Sequence, residues 1–140
     1  ISLNLVRAFE AAPEKVFAAW TEPQALKRWM APHPSMQITV AESDLKVGGR
    51  YRIVMRDSDG KENRVGGVYR EIDPGRRLSF TWAWESTPEQ ETLVTIELRQ
   101  KGAGTEMTLT HTKFADAASR DLHEQGWEGC VGQLERLMAA

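Results

Sequence analysis

Hydrophobic and polar residues alternate with a period of two through the middle of the chain. Apolar side chains recur at every second position in residues 36–40, 51–55, 78–84, 94–98 and 107–111. This alternation indicates strands with one buried face. Turn sequences that contain glycine lie at residues 57–60, 73–75 and 101–104. Strands joined by such short turns run antiparallel, so the pattern predicts an antiparallel sheet of six or seven strands.

Two short helices are predicted between the first strand and the rest of the sheet. Residues 2–9 are β-prone, and Ala12-Pro13-Glu14-Lys15 then favours the first turn of a helix. Thr21-Glu22-Pro23-Gln24 has the form of a capping box with an embedded proline, which predicts a second helix with Thr21 as its N-cap. Pro32 and Pro34 end the helical pattern before the alternating segments begin.

The last 25 residues change to a period of 3.6, which predicts a long helix from about residue 116 to residue 138. Asp116 or Ser119 is the expected N-cap. One face of this helix spans an arc of roughly 160° and carries Leu122, His123, Gly126, Trp127, Cys130, Leu134, Leu137 and Met138. A helix with such a stripe packs on the concave face of the preceding sheet. The predicted fold is therefore α+β, in the order β-α-α-β6-α, with a curved antiparallel sheet wrapped around the C-terminal helix in a single domain of residues 1–140.

Composition restricts the classes of function. The 140 residues carry a net charge of -2, with 41% hydrophobic and 27% charged side chains, which argues against disorder and against a nucleic-acid partner. The single cysteine, Cys130, excludes an internal disulfide, and no apolar run approaches the ~20 residues of a membrane span. We therefore expect a cytoplasmic protein without a membrane partner. Ile1 is not a natural start, so we also expect a chain trimmed at its beginning.

A series of short motifs spans nearly the whole chain. They are FEAAPEKVF at 9–17, WTEP at 20–23 followed by Trp29, DLKVGGRY at 44–51, GVYREI at 67–72, LTH at 109–111 and HEQGW at 123–127. Together and in this order they resemble the SRPBCC, or START-like, superfamily, and within it the AHSA1-like branch, which is named after the activator of Hsp90 ATPase. The resemblance implies the helix-grip (Bet v 1-like) fold and an internal cavity for a hydrophobic or amphipathic small molecule.

Three functions are compatible with this resemblance. The first is the binding of a hydrophobic small-molecule ligand, and the second is an enzyme of the polyketide cyclase or hydrolase sort that uses the same cavity. The third is an interaction module for the chaperone Hsp90. The activator that names the branch has an additional N-terminal domain, whereas these 140 residues accommodate only the START-like unit. We therefore rank the chaperone partner last, and the sequence leaves a homodimer open.

Nine residues are candidates for lining the cavity: Trp20, Trp29, Tyr51, Trp82, Trp84, His111, His123, Gly126 and Trp127. Each has a structural alternative. The aromatic residues serve as core as readily as they line a pocket. Gly126 costs about 1 kcal/mol relative to alanine inside a helix, so it serves either close packing or room for a ligand, and we favour close packing. The two histidines are either satisfied core residues or hydrogen-bonding partners of a ligand.

The sequence contains little that points to catalysis. Cys130 lies on the predicted stripe without an activating base, so we expect an inert buried thiol. No set of histidine, cysteine and carboxylate residues has the spacing of metal ligands. Gly129 and Gly132 lie off the stripe, and we expect them only to loosen the helix. We therefore assign no catalytic residue, metal or cofactor.

Overall fold

The computed structural model describes residues 1–140 as seven strands and three helices. The elements are β1 (Leu3–Phe9), α1 (Pro13–Thr21), α2 (Pro23–Trp29), β2 (Gln37–Ser43), β3 (Arg50–Arg56), β4 (Glu62–Asp73), β5 (Arg77–Trp84), β6 (Thr92–Lys101), β7 (Gly104–Thr112) and α3 (Ala117–Ala139). The strands form one sheet in the order β1-β7-β6-β5-β4-β3-β2, and every neighbouring pair is antiparallel. The predicted α+β helix-grip fold and its order of elements are confirmed.

The two short helices connect opposite edges of this sheet. β1 lies at one edge and pairs with β7 from Leu3 opposite His111 to Phe9 opposite Thr105, whereas β2 forms the other edge. The chain between them, with α1 and α2, must therefore cross from one edge to the other. Both helices have a proline in their first turn, as predicted.

The predicted capping box at Thr21 is wrong. α1 continues through Thr21, and the N-cap of α2 is Glu22, which makes no side-chain capping bond. Because the backbone of Thr21 is still helical, its hydroxyl donates to the carbonyl of Phe17, one turn earlier, at 3.0 Å. The N-cap of α3 is Asp116, one of the two residues expected, and its carboxylate accepts from the Ser119 backbone N–H at 2.8 Å.

The apolar stripe of α3 is displaced from the predicted one. Five residues of the helix are buried, namely Trp127, Cys130, Val131, Leu134 and Met138. Val131 is fully buried although it lies outside the predicted stripe, and Leu122, which was placed on it, is 70% exposed. The second half of α3 therefore packs into the core, whereas its first half borders a cavity.

Gly129 fixes α3 against the connection between α2 and β2. A Cβ atom at this position would lie 2.0 Å from the carbonyl oxygen of Pro32, so only glycine permits this approach. The Gln133 side chain, one turn further on, donates to the carbonyl of Ala31. The expectation that Gly129 merely loosens the helix is wrong, because the residue is required for close packing.

Candidate ligand-binding site

An apolar cavity of about 300 Å³ lies between the first half of α3 and the sheet. Its lining consists of Pro32, Met55, Trp82, Trp84, Leu122, His123, Gly126, Trp127 and Cys130. α3 contributes five of these residues, β5 contributes two and β3 contributes Met55. Leu122, the exposed residue of the set, stands at the mouth. The volume falls at the lower end of the range of about 300 to 1,000 Å³ that is usual for small-molecule sites.

Gly126 makes room in this cavity. A Cβ atom at this position would have no heavy atom within 4 Å, so nothing packs against the helix there. Close packing, the explanation that we favoured from the sequence, is therefore wrong for Gly126. The two glycines at 126 and 129 have opposite roles, since one leaves space and the other closes it.

The structure brings five of the nine candidate residues together around the cavity: Trp82, Trp84, His123, Gly126 and Trp127. Trp20 and Tyr51 instead border a void of only about 10 Å³. Trp29 is 1% exposed and its indole N–H donates to the carbonyl of Ala19 at 2.8 Å. These three aromatic residues are core beside the cavity. The ring centroids of Trp20 and Trp29 are 4.6 Å apart, and the Tyr51 ring packs on Phe80 at 5.3 Å.

His111 also lies outside the lining, in a buried hydrogen-bonded network. The Trp127 indole N–H donates to His111 Nδ1 at 3.0 Å, and His111 Nε2 lies 2.6 Å from the hydroxyl of Thr92. Because that hydroxyl donates to the carbonyl of Trp82 at 3.0 Å, the proton on the imidazole is at Nε2. Burial lowers the pKa of His111 to about 3, and the nearby His123 adds to this effect. His111 is thus a neutral, satisfied core residue that holds Trp127 in place.

His123 forms the polar edge of the cavity. Its Nε2 accepts from the Trp84 indole N–H at 3.0 Å, and its Nδ1 lies 2.8 Å from the carbonyl oxygen of Ser119. A neutral ring with its proton on Nδ1 satisfies both contacts. The rings of His111 and His123 are 5.2 Å apart, so the two histidines are neighbours, yet each ring nitrogen is occupied by another partner.

Four residues of the lining were not among the candidates. Met55 is one of the alternating apolar residues of β3, and Leu122 and Cys130 lie on the predicted stripe of α3, so the sequence contained a signal for these three. Nothing in the sequence marks Pro32, which reaches the cavity from the loop after α2. Burial raises the pKa of Cys130 to about 12, which keeps its thiol protonated.

No three or more histidine, cysteine, aspartate or glutamate side chains are placed to hold a metal ion. None of the three helices has the length and apolar character required to cross a membrane.

The family model of the Activator of Hsp90 ATPase homolog 1-like proteins (AHSA1) matches residues 10–139. The chain belongs to this family. Among solved structures, this AHSA1-like protein is similar to a protein from Chromobacterium violaceum, with 27% identity and a TM-score of 0.90 over 99% of this chain and 97% of the other. A protein from Nitrosomonas europaea is 28% identical, with a TM-score of 0.84 over 99% and 94% of the two chains.

A third similar structure is that of the AHSA1 protein from Silicibacter pomeroyi, with 26% identity and a TM-score of 0.87 over 99% and 98% of the two chains. No curated protein matches the chain. The family and the fold are thereby established.

Proposed function

We propose that this AHSA1-like protein binds a small hydrophobic or amphipathic molecule in the cavity between α3 and the sheet. The observation that carries the proposal is the open space at Gly126, since protein interiors normally pack to the density of organic crystals. A glycine inside a helix costs about 1 kcal/mol relative to alanine, and here it leaves three tryptophan side chains facing an unfilled volume. Apolar walls with a few polar groups are typical of small-molecule sites.

The size of the cavity limits the ligand. A volume of about 300 Å³ corresponds to roughly ten water-sized groups at about 30 Å³ each. The part of the ligand that enters the cavity therefore has about ten non-hydrogen atoms. Flat or unbranched apolar groups fit best between the rings of Trp82, Trp84 and Trp127.

The family leaves a ligand-binding role and an Hsp90-activator-like role open, and the cavity favours the first. The enzymatic alternative requires an activated nucleophile or base in the cavity. Cys130 lines the cavity with a pKa raised to about 12, and His123, the histidine of the lining, uses both ring nitrogens in hydrogen bonds with Trp84 and Ser119. Neither side chain is thus available as an activated nucleophile or base, and the lining favours the binding of a ligand over a reaction.

The test is the titration of an apolar fluorescent probe into the folded protein, followed by probe and tryptophan emission. We expect a Kd of about micromolar, equivalent to about 8 kcal/mol. Gly126→Leu should weaken binding at least about tenfold, because the leucine fills the void. Gly132→Leu is the matched control, since Gly132 also faces open space on α3 but does not line the cavity.

Two results would contradict the proposal: no binding of the probe to the folded wild-type protein, or equal weakening by both leucine variants. If the probe binds as expected, mass spectrometry of small molecules extracted from the purified protein identifies the natural ligand.

A further inference from the structure

A second cavity, of about 160 Å³, lies on the polar side of the first. It is bordered by the connection between β5 and β6 and by the segment that leads from β7 into α3, and it is partly open to solvent. Its lining consists of Trp82, Trp84, Glu89, Gln90, Glu91, Thr92, Lys113, Ala115, Ser119 and His123. We call it the head cavity, and we call the cavity at Gly126 the apolar cavity. Trp82, Trp84 and His123 line both, so these three side chains form the shared wall.

Three solvent-exposed charged side chains lie in the lining of the head cavity: Glu89, Glu91 and Lys113. The molecule has ten ion pairs, and none of them involves Glu89, Glu91 or Lys113. Two carboxylates against one ammonium leave a net charge of -1 in the lining. The positive end of α3 is also close, through Ser119, but the N-cap carboxylate of Asp116 offsets it. The cavity therefore disfavours an anionic group.

Trp82 supplies an independent observation that points to a ligand. Its side chain is 4% exposed and lines both cavities as well as the void of about 10 Å³, and its indole Nε1 is buried without a hydrogen-bond partner. Buried N–H groups in native proteins almost always have a partner. Because Nε1 has almost no accessible surface, an acceptor atom on a bound molecule, such as a hydroxyl oxygen, reaches this donor only if the indole ring turns.

The Trp84–His123 hydrogen bond of 3.0 Å stands between the two cavities. A molecule that occupies both must pass this pair and part it. A hydroxyl or amino group on that molecule can replace the bond that is lost, because the freed indole N–H is a donor and His123 Nε2 is an acceptor. The shared wall therefore selects for a polar group at the point where the ligand leaves the apolar cavity.

Building on the proposed function, we propose that the ligand is a short amphiphile. Its apolar part fills the apolar cavity, and its head lies in the head cavity. The head carries hydrogen-bond donors and no negative charge, as an alcohol or a protonated amine does. At about 30 Å³ for each water-sized group, the head cavity holds about five such groups, which suits a small head.

The experiment compares three probes with the same eight-carbon chain, namely octylamine, 1-octanol and octanoate, by calorimetry at pH 7.5 and low ionic strength. The amine should bind at least about tenfold more tightly than the carboxylate, because it forms charge-assisted hydrogen bonds where the carboxylate is repelled. The alcohol should fall between them.

The double variant Glu89→Gln/Glu91→Gln removes both carboxylates of the head cavity, and it should abolish the preference for the amine over the alcohol. Glu10→Gln/Glu128→Gln is the matched control. It changes the net charge equally at two exposed glutamates that form no ion pair and line neither cavity. The control should keep the preference for the amine.

The proposal for the head cavity would be overturned if octanoate bound as tightly as octylamine. It would also be overturned if the two double variants kept, or lost, the preference for the amine over the alcohol to the same extent. In either case, continued binding of octanol with loss in Gly126→Leu would leave the proposed function standing. Failure of all three probes and of the apolar fluorescent probe would overturn both proposals.

Discussion

At the scale of single residues, the two neighbouring histidines differ in what surrounds them. His111 is fully buried between Trp127 and Thr92, and no atom of it borders the cavity. His123 is half-buried and lies in the wall of both cavities. The same imidazole group therefore supports the core at one position and faces a ligand at the other.

The buried His111 makes stability depend on pH. Its pKa is about 3 in the folded protein against an ordinary value of 6.5, so between these values the unfolded chain binds a proton that the folded protein does not. The stabilisation is fully present above pH 6.5 and is lost as the pH falls, by up to about 1.4 kcal/mol of unfolding free energy for each pH unit. Urea denaturation between pH 7 and pH 5 measures this slope. Carboxylates add little in that range, because most of them titrate below it.

Replacing His111 with glutamine should flatten this dependence on pH, because the titrating group is removed. His33→Gln is the control, since His33 is exposed and its Nδ1 contacts only the neighbouring Ser35. The absolute stability of His111→Gln will be lower, as its network is altered, but the slope is the quantity compared. An unchanged slope in this variant would show that His111 is not the group responsible.

At the scale of elements, α3 has two functions along one helix. Its second half is buried in the core, whereas its first half forms a wall of the cavity. The contact of Gly129 with Pro32 lies between them and fixes the distance of the helix from the loop after α2. The cavity stays open because the helix is held there and because Gly126 contributes no side chain.

Alanine at the two glycines should therefore have opposite effects on stability. Gly126→Ala should raise the unfolding free energy by about 0.5 to 1 kcal/mol, because the helix loses a flexible residue and the new methyl group meets open space. Gly129→Ala should lower it, because the methyl group would lie 2.0 Å from the Pro32 carbonyl oxygen and the helix must move. Chemical denaturation of the two variants side by side gives both values. If both alanines stabilise, the close approach at Gly129 does not exist.

The elements of this fold were more predictable than the site. Strands such as β3 and β5 show their buried face by strict alternation, and α3 was predicted at about 116 to 138 against Ala117–Ala139. β4 is less regular, because Gly66 and Gly67 interrupt its pattern and its pairing with β5 shifts between Tyr69 and Glu71.

The site required information that the pattern of residues does not contain. Periodicity shows that Trp20 and Trp127 both face inward, but it does not show which inward residues pack on each other and which border empty space. The ring centroids of these two residues are 5.7 Å apart, yet only Trp127 lines the apolar cavity. For Gly126 and Gly129, the roles depended on what lies opposite the helix, which is a property of the assembled fold.

At the scale of the whole molecule, the arrangement of the sheet determines where a cavity can form. β1 and β2 are the two edges, and α1 and α2 cross between them on the way from one to the other. Aromatic residues from α1, α2 and the central strands fill the interior on that side, around a void of only about 10 Å³. The adjoining part of the interior, beneath the first half of α3, has Gly126 where a large side chain would otherwise close it.

A ligand in this cavity should stabilise the whole molecule, because it binds the folded state and not the unfolded chain. At a hundred times its Kd, a ligand such as 1-octanol adds about 2.7 kcal/mol to the unfolding free energy. For a chain of 140 residues, each kcal/mol corresponds to a few degrees, so we expect the Tm to rise by roughly 10 °C. Thermal unfolding followed by tryptophan emission measures the shift. Gly126→Leu should show at most about half of this shift, because tenfold weaker binding leaves the same ligand at about ten times its Kd. Its own Tm without ligand should be at least that of the wild type, since leucine favours the helix and fills an open space. An equal shift in both proteins would mean that the alcohol acts through the solvent or another surface, and the cavity would then be a packing defect of the fold.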